Sequence, residues 1–214
     1  MHAARLSLVA LLFGLGFGLT FSPPAFADTP VELVPAASGY KTMSTTVATK
    51  GAAITTADFV AAIMDGDHYP MSASYMGVKA LLECRSLEKR ADGGVVVYQR
   101  TGGGMGIASR QYVILLKVVK QTDTVAEIQW ELVKHAVSDK TFSGPFASAM
   151  NAHPDAVYTP YNRGGWKYDK AAGQITYYVT SDPGGSLPGF MQTQGAVTAF
   201  PLELLRVKWG VTPD

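Results

Sequence analysis

The sequence predicts an α+β domain in which a curved antiparallel sheet wraps a long C-terminal helix. Three observations predict it. Two neighbouring runs, Arg110 to Val119 and Val125 to Lys134, alternate in character with a period of two, as antiparallel strands with one wet and one buried face do. A glycine-closed hairpin comes next, from Trp166 through Lys170-Ala171-Ala172-Gly173 to Thr180. Beyond a stop at Asp182-Pro183-Gly184-Gly185 the chain closes with an amphipathic segment, and such a helix at the end of a sheet-rich chain needs a sheet to lie on.

Met1 to Ala27 reads as a secretory leader. Arg5 supplies the positive end, Leu6 to Phe21 is apolar, and Ala25-Phe26-Ala27 fits the small-x-small rule, which places the cut before Asp28. The apolar core is short for a membrane span and Pro23-Pro24 follow it, so the reading is export to the periplasm or medium rather than an uncleaved anchor. Removing 27 residues from 214 leaves 187, enough for one domain with a real core. Arg5 is the one charge in the leader, which leaves 17 basic against 17 acidic residues. A neutral chain without a basic run is a poor nucleic-acid partner, since that binding rests on phosphate neutralisation.

Asp28 to Gly39, with Pro30 and Pro35, reads as a loose lead-in, and 40–214 as the domain. Tyr40 to Thr49 is rich in Thr, Val and Ser and reads as a strand. Thr55 and Asp58 form a capping box ahead of a helix whose apolar face carries Phe59, Ala62 and Ile63, and which stops near Asp65-Gly66-Asp67. His68 to Met71 is a loop and Met76 to Lys89 a strand. Ala91-Asp92-Gly93-Gly94 turns the chain into a return strand, Val95 to Arg100, broken by Gly102-Gly103-Gly104. On the next strand Arg110, Tyr112, Ile114, Leu116 and Val118 share one face, with Gln111 and Lys117 opposite. Then Ala126, Ile128, Trp130 and Leu132 share a face against Glu127, Gln129 and Glu131. Ser138 to Thr159 is a long connection with one helical turn near Phe146 to Met150, and a loop of that length is functional or mobile. In the closing hairpin Ile175, Tyr177 and Val179 share a face. Ser186 caps a helix from Leu187 to Trp209, with Pro188 in its first turn, a stripe of Phe190, Gln194, Val197, Leu204 and Leu205, and an interruption at Pro201.

Most catalytic chemistries find no support in the residues. Thr101 to Gly106 is glycine-rich, but a phosphate loop needs a helix after it and here a strand comes next. His68, His135 and His153 lack the spacing of metal ligands. No Gly-x-Ser-x-Gly elbow is present. The single cysteine, Cys84, reads as a small buried hydrophobe and excludes an intramolecular disulfide. Arg110 is the residue that breaks the pattern, a guanidinium on an apolar face. Two readings stand: it snorkels to water at the strand's end, or it projects into a cavity toward a polar group.

Taken together, Gly164-Gly165-Trp166, the strand after it, Asp182 to Pro188 and a terminal helix ending Leu204-Leu205-Arg206 resemble the START lipid-transfer domain of the helix-grip superfamily. Val97 to Arg100, Ser109 to Val113 and Ile128-Gln129-Trp130 match upstream, so the resemblance spans about Tyr40 to Trp209. It implies a helix-grip fold with a hydrophobic tunnel between sheet and terminal helix, no cofactor and no metal. It also implies non-catalytic binding, and transfer, of a lipid or sterol-like molecule, with transient contact at a membrane surface. The ligand-binding residues it implies are Arg110, Tyr112, Ile114, Trp130, Tyr98, Tyr177, Phe190, Gln194 and Val197. The family's arginine is usually followed by Asp, where this chain has Gln111, and Tyr158 stands where an arginine is often found. The terminal helix and the Ser138 to Thr159 loop are the expected gates. A polyketide cyclase-like enzyme on the same fold and a module with a filled interior are the alternatives; an open interior lined by Tyr, Trp and Leu separates binding from the latter.

Overall fold

The computed structural model describes residues 28–37, 39–102, 106–185 and 194–213. The leader, and the expected first turns of the terminal helix with Ser186, Pro188 and Phe190, lie outside the described residues. The first strand, β1 (Thr42–Ala48), leads to α1 (Thr56–Met64). Thr55 caps α1 as its composition demands. Its hydroxyl accepts from the Asp58 amide, while the Asp58 carboxylate accepts from the Thr55 amide. A single 3-10 turn at Gly66–His68 comes after it.

The stretch expected to be one strand from Met76 to Lys89 is instead a miniature hairpin and a separate strand. Met76 and Gly77 both take positive φ (49° and 78°), the backbone of a two-residue primed turn, so β2 (Ser74–Tyr75) folds onto β3 (Val78–Lys79) before β4 (Glu83–Lys89) begins. Then come β5 (Val95–Thr101), β6 (Arg110–Gln121) and β7 (Val125–Leu132). The long connection contains a hairpin, β8 (Ala136–Ser138) with β9 (Thr141–Ser143), a short helix α2 (Ala147–Asn151), and β10 (Val157–Tyr158). The closing hairpin is β11 (Tyr161–Asp169) and β12 (Gln174–Asp182), and α3 (Gln194–Trp209) continues through Pro201 rather than ending there.

The large sheet runs β1-β12-β11-β7-β6-β5-β4, with neighbours antiparallel, and β10 joins β6 in parallel. α1 and α3 lie on its concave face. Phe59 and Ile63 from α1, Leu204 and Leu205 from α3, and Val97, Ile128, Trp166 and Ile175 from the sheet form the main core. Phe59 stacks on Trp209 (5.9 Å between centroids), which ties the first helix to the last.

Two expectations about the other face fail. β6 is not wet there along its first half: Val113 and Leu115, with Val96 and Tyr98 of β5, are buried under Phe142, Ala149 and Met150 of the long connection, while β7 keeps its half-exposed face. The pattern concealed this because Gln111 and Lys117 sit among those positions; Gln111 is fully buried, satisfied by the Tyr98 hydroxyl (3.1 Å) and by donating to the His153 carbonyl (3.0 Å). Nor is the lead-in loose. Leu33 bridges to Val133, the Val34 amide donates to Leu132 O (2.9 Å), and Asp28 meets Arg90, so residues 28–34 strap the convex face.

Candidate functional site

A cavity of about 200 Å³ lies between the concave face and α3. Strand parity builds its floor. The β5–β6 ladder pairs Thr101 with Arg110 and Gln99 with Tyr112, and Ile114 and Leu116 continue the same face along β6. Trp130, Trp166, Tyr177 and Val179 close the far wall. Val197 and Phe200 of α3 form the roof, and Tyr75 and Val78 of the β2–β3 hairpin cover one side.

Two glycines shape the wall. A Cβ on Gly164 would sit 2.4 Å from the Trp130 ring and 2.3 Å from the Tyr178 carbonyl; on Gly165 it would meet the Tyr178 hydroxyl at 2.4 Å. Their bare backbone lets Trp130 lie over β11 inside and Tyr178 outside. Asn162, two residues earlier on the inner face, accepts from Trp130 Nε1 (2.7 Å) and fixes the indole's orientation.

The cavity becomes polar toward the Arg110 end. Arg110 is 5 % exposed and lines the cavity, which decides against snorkelling. Its guanidinium donates to the carbonyls of Ala108 and Gly184. Burial pulls its pKa below the ordinary arginine value. Gly184, at φ 68°, passes so close to β10 that a Cβ would lie 2.4 Å from Tyr158 O, so only glycine brings this carbonyl to the arginine. Thr159, just after β10, is 1 % exposed and lines the same end; its Oγ1 has no hydrogen-bond partner among the described residues. Deeper in, burial raises the Tyr112 and Tyr177 phenols above the ordinary value, so both are neutral donors at neutral pH. The Cys84 thiol, in the core below Gln99, is pushed up to about 12 by burial and accepts weakly from Gln99 Nε2 at 3.7 Å. Among the described residues no three His, Cys, Asp or Glu side chains converge as metal ligands.

Of the residues singled out from sequence, Arg110, Tyr112, Ile114, Trp130, Tyr177 and Val197 line the cavity. Tyr98 does not. It has the wrong parity: Gln99, not Tyr98, is the β5 residue opposite Tyr112, and Tyr98 faces the convex side against Gln111 and His153. Phe190 lies outside the described residues, as does the side chain of Gln194. Gln99, Asn162, Tyr69 and Phe200 line the cavity and were missed. Parity with Tyr112 marks Gln99, and parity with Gly164 marks Asn162. Thr159 carries no sequence signal, because its place depends on a two-residue parallel strand. The Ser138 to Thr159 connection packs mainly on the convex face, away from the cavity, and only its last residue reaches the lining.

No family model matches the sequence, and no curated protein matches it. Solved structures do. The crystal structure of a STAR-related lipid transfer protein from Xanthomonas axonopodis superposes with a TM-score of 0.51 at 20 % identity, over 83 % of this chain and 97 % of that one. Human STARD10 superposes with a TM-score of 0.51 at 12 % identity, over 86 % of this chain and 73 % of that one. The fold is therefore START-like: α+β, helix-grip, with a curved antiparallel sheet around a C-terminal helix.

Proposed function

We propose that this chain binds a hydrophobic ligand, lipid or sterol-like, in the cavity between sheet and α3, leaves it chemically unchanged, and hands it on. The observation that carries the reading is the cavity's lining, aromatic and aliphatic through Ile114, Leu116, Trp130 and Trp166, with Arg110 and Thr159 at one end. Each methylene moved from water into such a lining is worth about 0.8 kcal/mol, and one or two polar groups suffice to orient the molecule. The titratable groups of the lining point the same way, since neutral phenols and a guanidinium are binding groups rather than an acid–base pair poised near neutrality. The structural neighbour named as a lipid transfer protein supports the reading at the level of fold. The leader in the sequence supports activity in the periplasm or medium, with brief contact at a membrane surface during exchange.

Native mass spectrometry of the protein purified from the envelope tests both halves at once. The expected spectrum shows a chain starting at Asp28 that carries an extractable lipid mass. A chain retaining residues 1–27 overturns export; a mature chain with no lipid, and no uptake of any apolar probe after delipidation, overturns binding.

A further inference from the structure

The apolar part of the cavity narrows the ligand class, given the binding function proposed for this same cavity. Its far wall is built of rings that hold one another. Tyr177 stacks on Trp130, with 5.6 Å between centroids and 27° between planes, and meets Trp166 edge-on at 4.8 Å and 64°. Both indoles are pinned in turn. Asn162 accepts from Trp130 Nε1 at 2.7 Å, and Phe59 of α1 packs edge-on against Trp166 at 6.4 Å. On the roof, Phe200 of α3 tilts against Tyr69 at 5.1 Å. Tyr177 and Phe200 line the cavity and are only partly buried, so ring surface is left there for a ligand to cover. Rings fixed in this way present a preorganised flat surface. A planar ring laid on them gains a contribution beyond the area it buries. A flexible chain lacks that gain and loses the rotation of each bond that is held. Size agrees with shape. About 200 Å³ is modestly larger than the ~150 Å³ engineered cavity that admits benzene, which is room for one or two fused rings and not for an extended acyl chain.

We propose that the ligand is a compact planar ring compound, of one or two fused rings with a small polar substituent, seated against Tyr177 and Phe200. Calorimetric titration of the purified, delipidated protein with 2-naphthol and with 1-decanol tests it. Each probe carries one hydroxyl, and on buried apolar area alone the ten-carbon chain would bind tighter, so the order of affinities separates shape from area. 2-Naphthol is expected to bind about five- to a hundredfold tighter, the range for two aromatic contacts. Tyr177→Leu keeps the lining apolar and removes one ring; it is expected to weaken 2-naphthol about two- to tenfold and to leave 1-decanol unchanged. Phe200→Leu is expected to do the same from α3, and decides the matter if Tyr177→Leu does not fold. Equal affinities in the wild type, or tighter binding of 1-decanol, would overturn the ring and leave the apolar cavity standing. Binding of neither would overturn both the ring and the binding function. Full 2-naphthol affinity in both folded variants would overturn the seat against these two rings.

Discussion

At the scale of residues, Gly164 is the position where the least chemistry does the most. The Trp130 ring occupies the space where any Cβ would be, with a backbone carbonyl on the other side that cannot retreat. Gly164→Ala is therefore expected to destabilise the fold by about 2–3 kcal/mol, as overpacking does, with a red shift in tryptophan emission as the indole is pushed from Asn162; urea unfolding followed by fluorescence measures both. Arg110 shows how far one residue can be read unaided. Its parity put it on an apolar face, and its burial settles that it turns inward. Tyr98 shows the limit: a buried aromatic on a strand has two faces to choose from, and where both are covered composition does not say which. The ladder register does, and register is a property of two strands rather than one.

At the scale of elements, the hairpin β2–β3 and the helix α3 close one side of the cavity. A polar tie joins α3 to the segment just before the hairpin: the Ser72 hydroxyl donates to Glu203, which also holds Arg206 three residues on (2.7 Å). These partners, Arg206 foremost, hold the Glu203 carboxyl down at about 2, below its ordinary 4.5. A depressed carboxylate contributes stability that is present above its unfolded value and lost as pH falls through the folded one. The difference in urea midpoint between wild type and Glu203→Gln is thus expected at pH 7 and to shrink as pH drops below about 4.5 toward 2. It should stay small, since the arginine is exposed. The elements themselves were legible wherever one face met water, as in β7, and wherever capping chemistry was explicit, as at Thr55. The β2–β3 hairpin was not, because Met76 occupies a positive-φ position that asparagine or glycine normally announces.

For the whole molecule, the two covered faces divide the labour. The convex face, with the strap 28–34, α2 and the β8–β9 hairpin, is packed; the concave face holds the cavity. If the cavity binds a ligand as proposed, the hairpin and α3, which close it, are the elements that must open, while the long connection packs mainly on the other face. On binding of an apolar probe, amide exchange is expected to slow in 74–79 and in 194–209 and to stay unchanged in 136–151; slowing confined to 136–151 would place the gate in the connection. The helix-grip architecture was legible from the order of strands, turns and a terminal helix, but the second covered face was not, since it depends on a connection folding back over strands that read as half wet. The placement of β1 has a kinetic consequence. Among the described residues it pairs with β12 alone, across a separation of 138 residues at Thr42 and Thr180. Ladders that close over such distances form late, after much loop entropy has been spent. Until the last strand has been synthesised the first lacks its ladder partner, so the sheet's β1 edge is completed only after the whole domain has emerged.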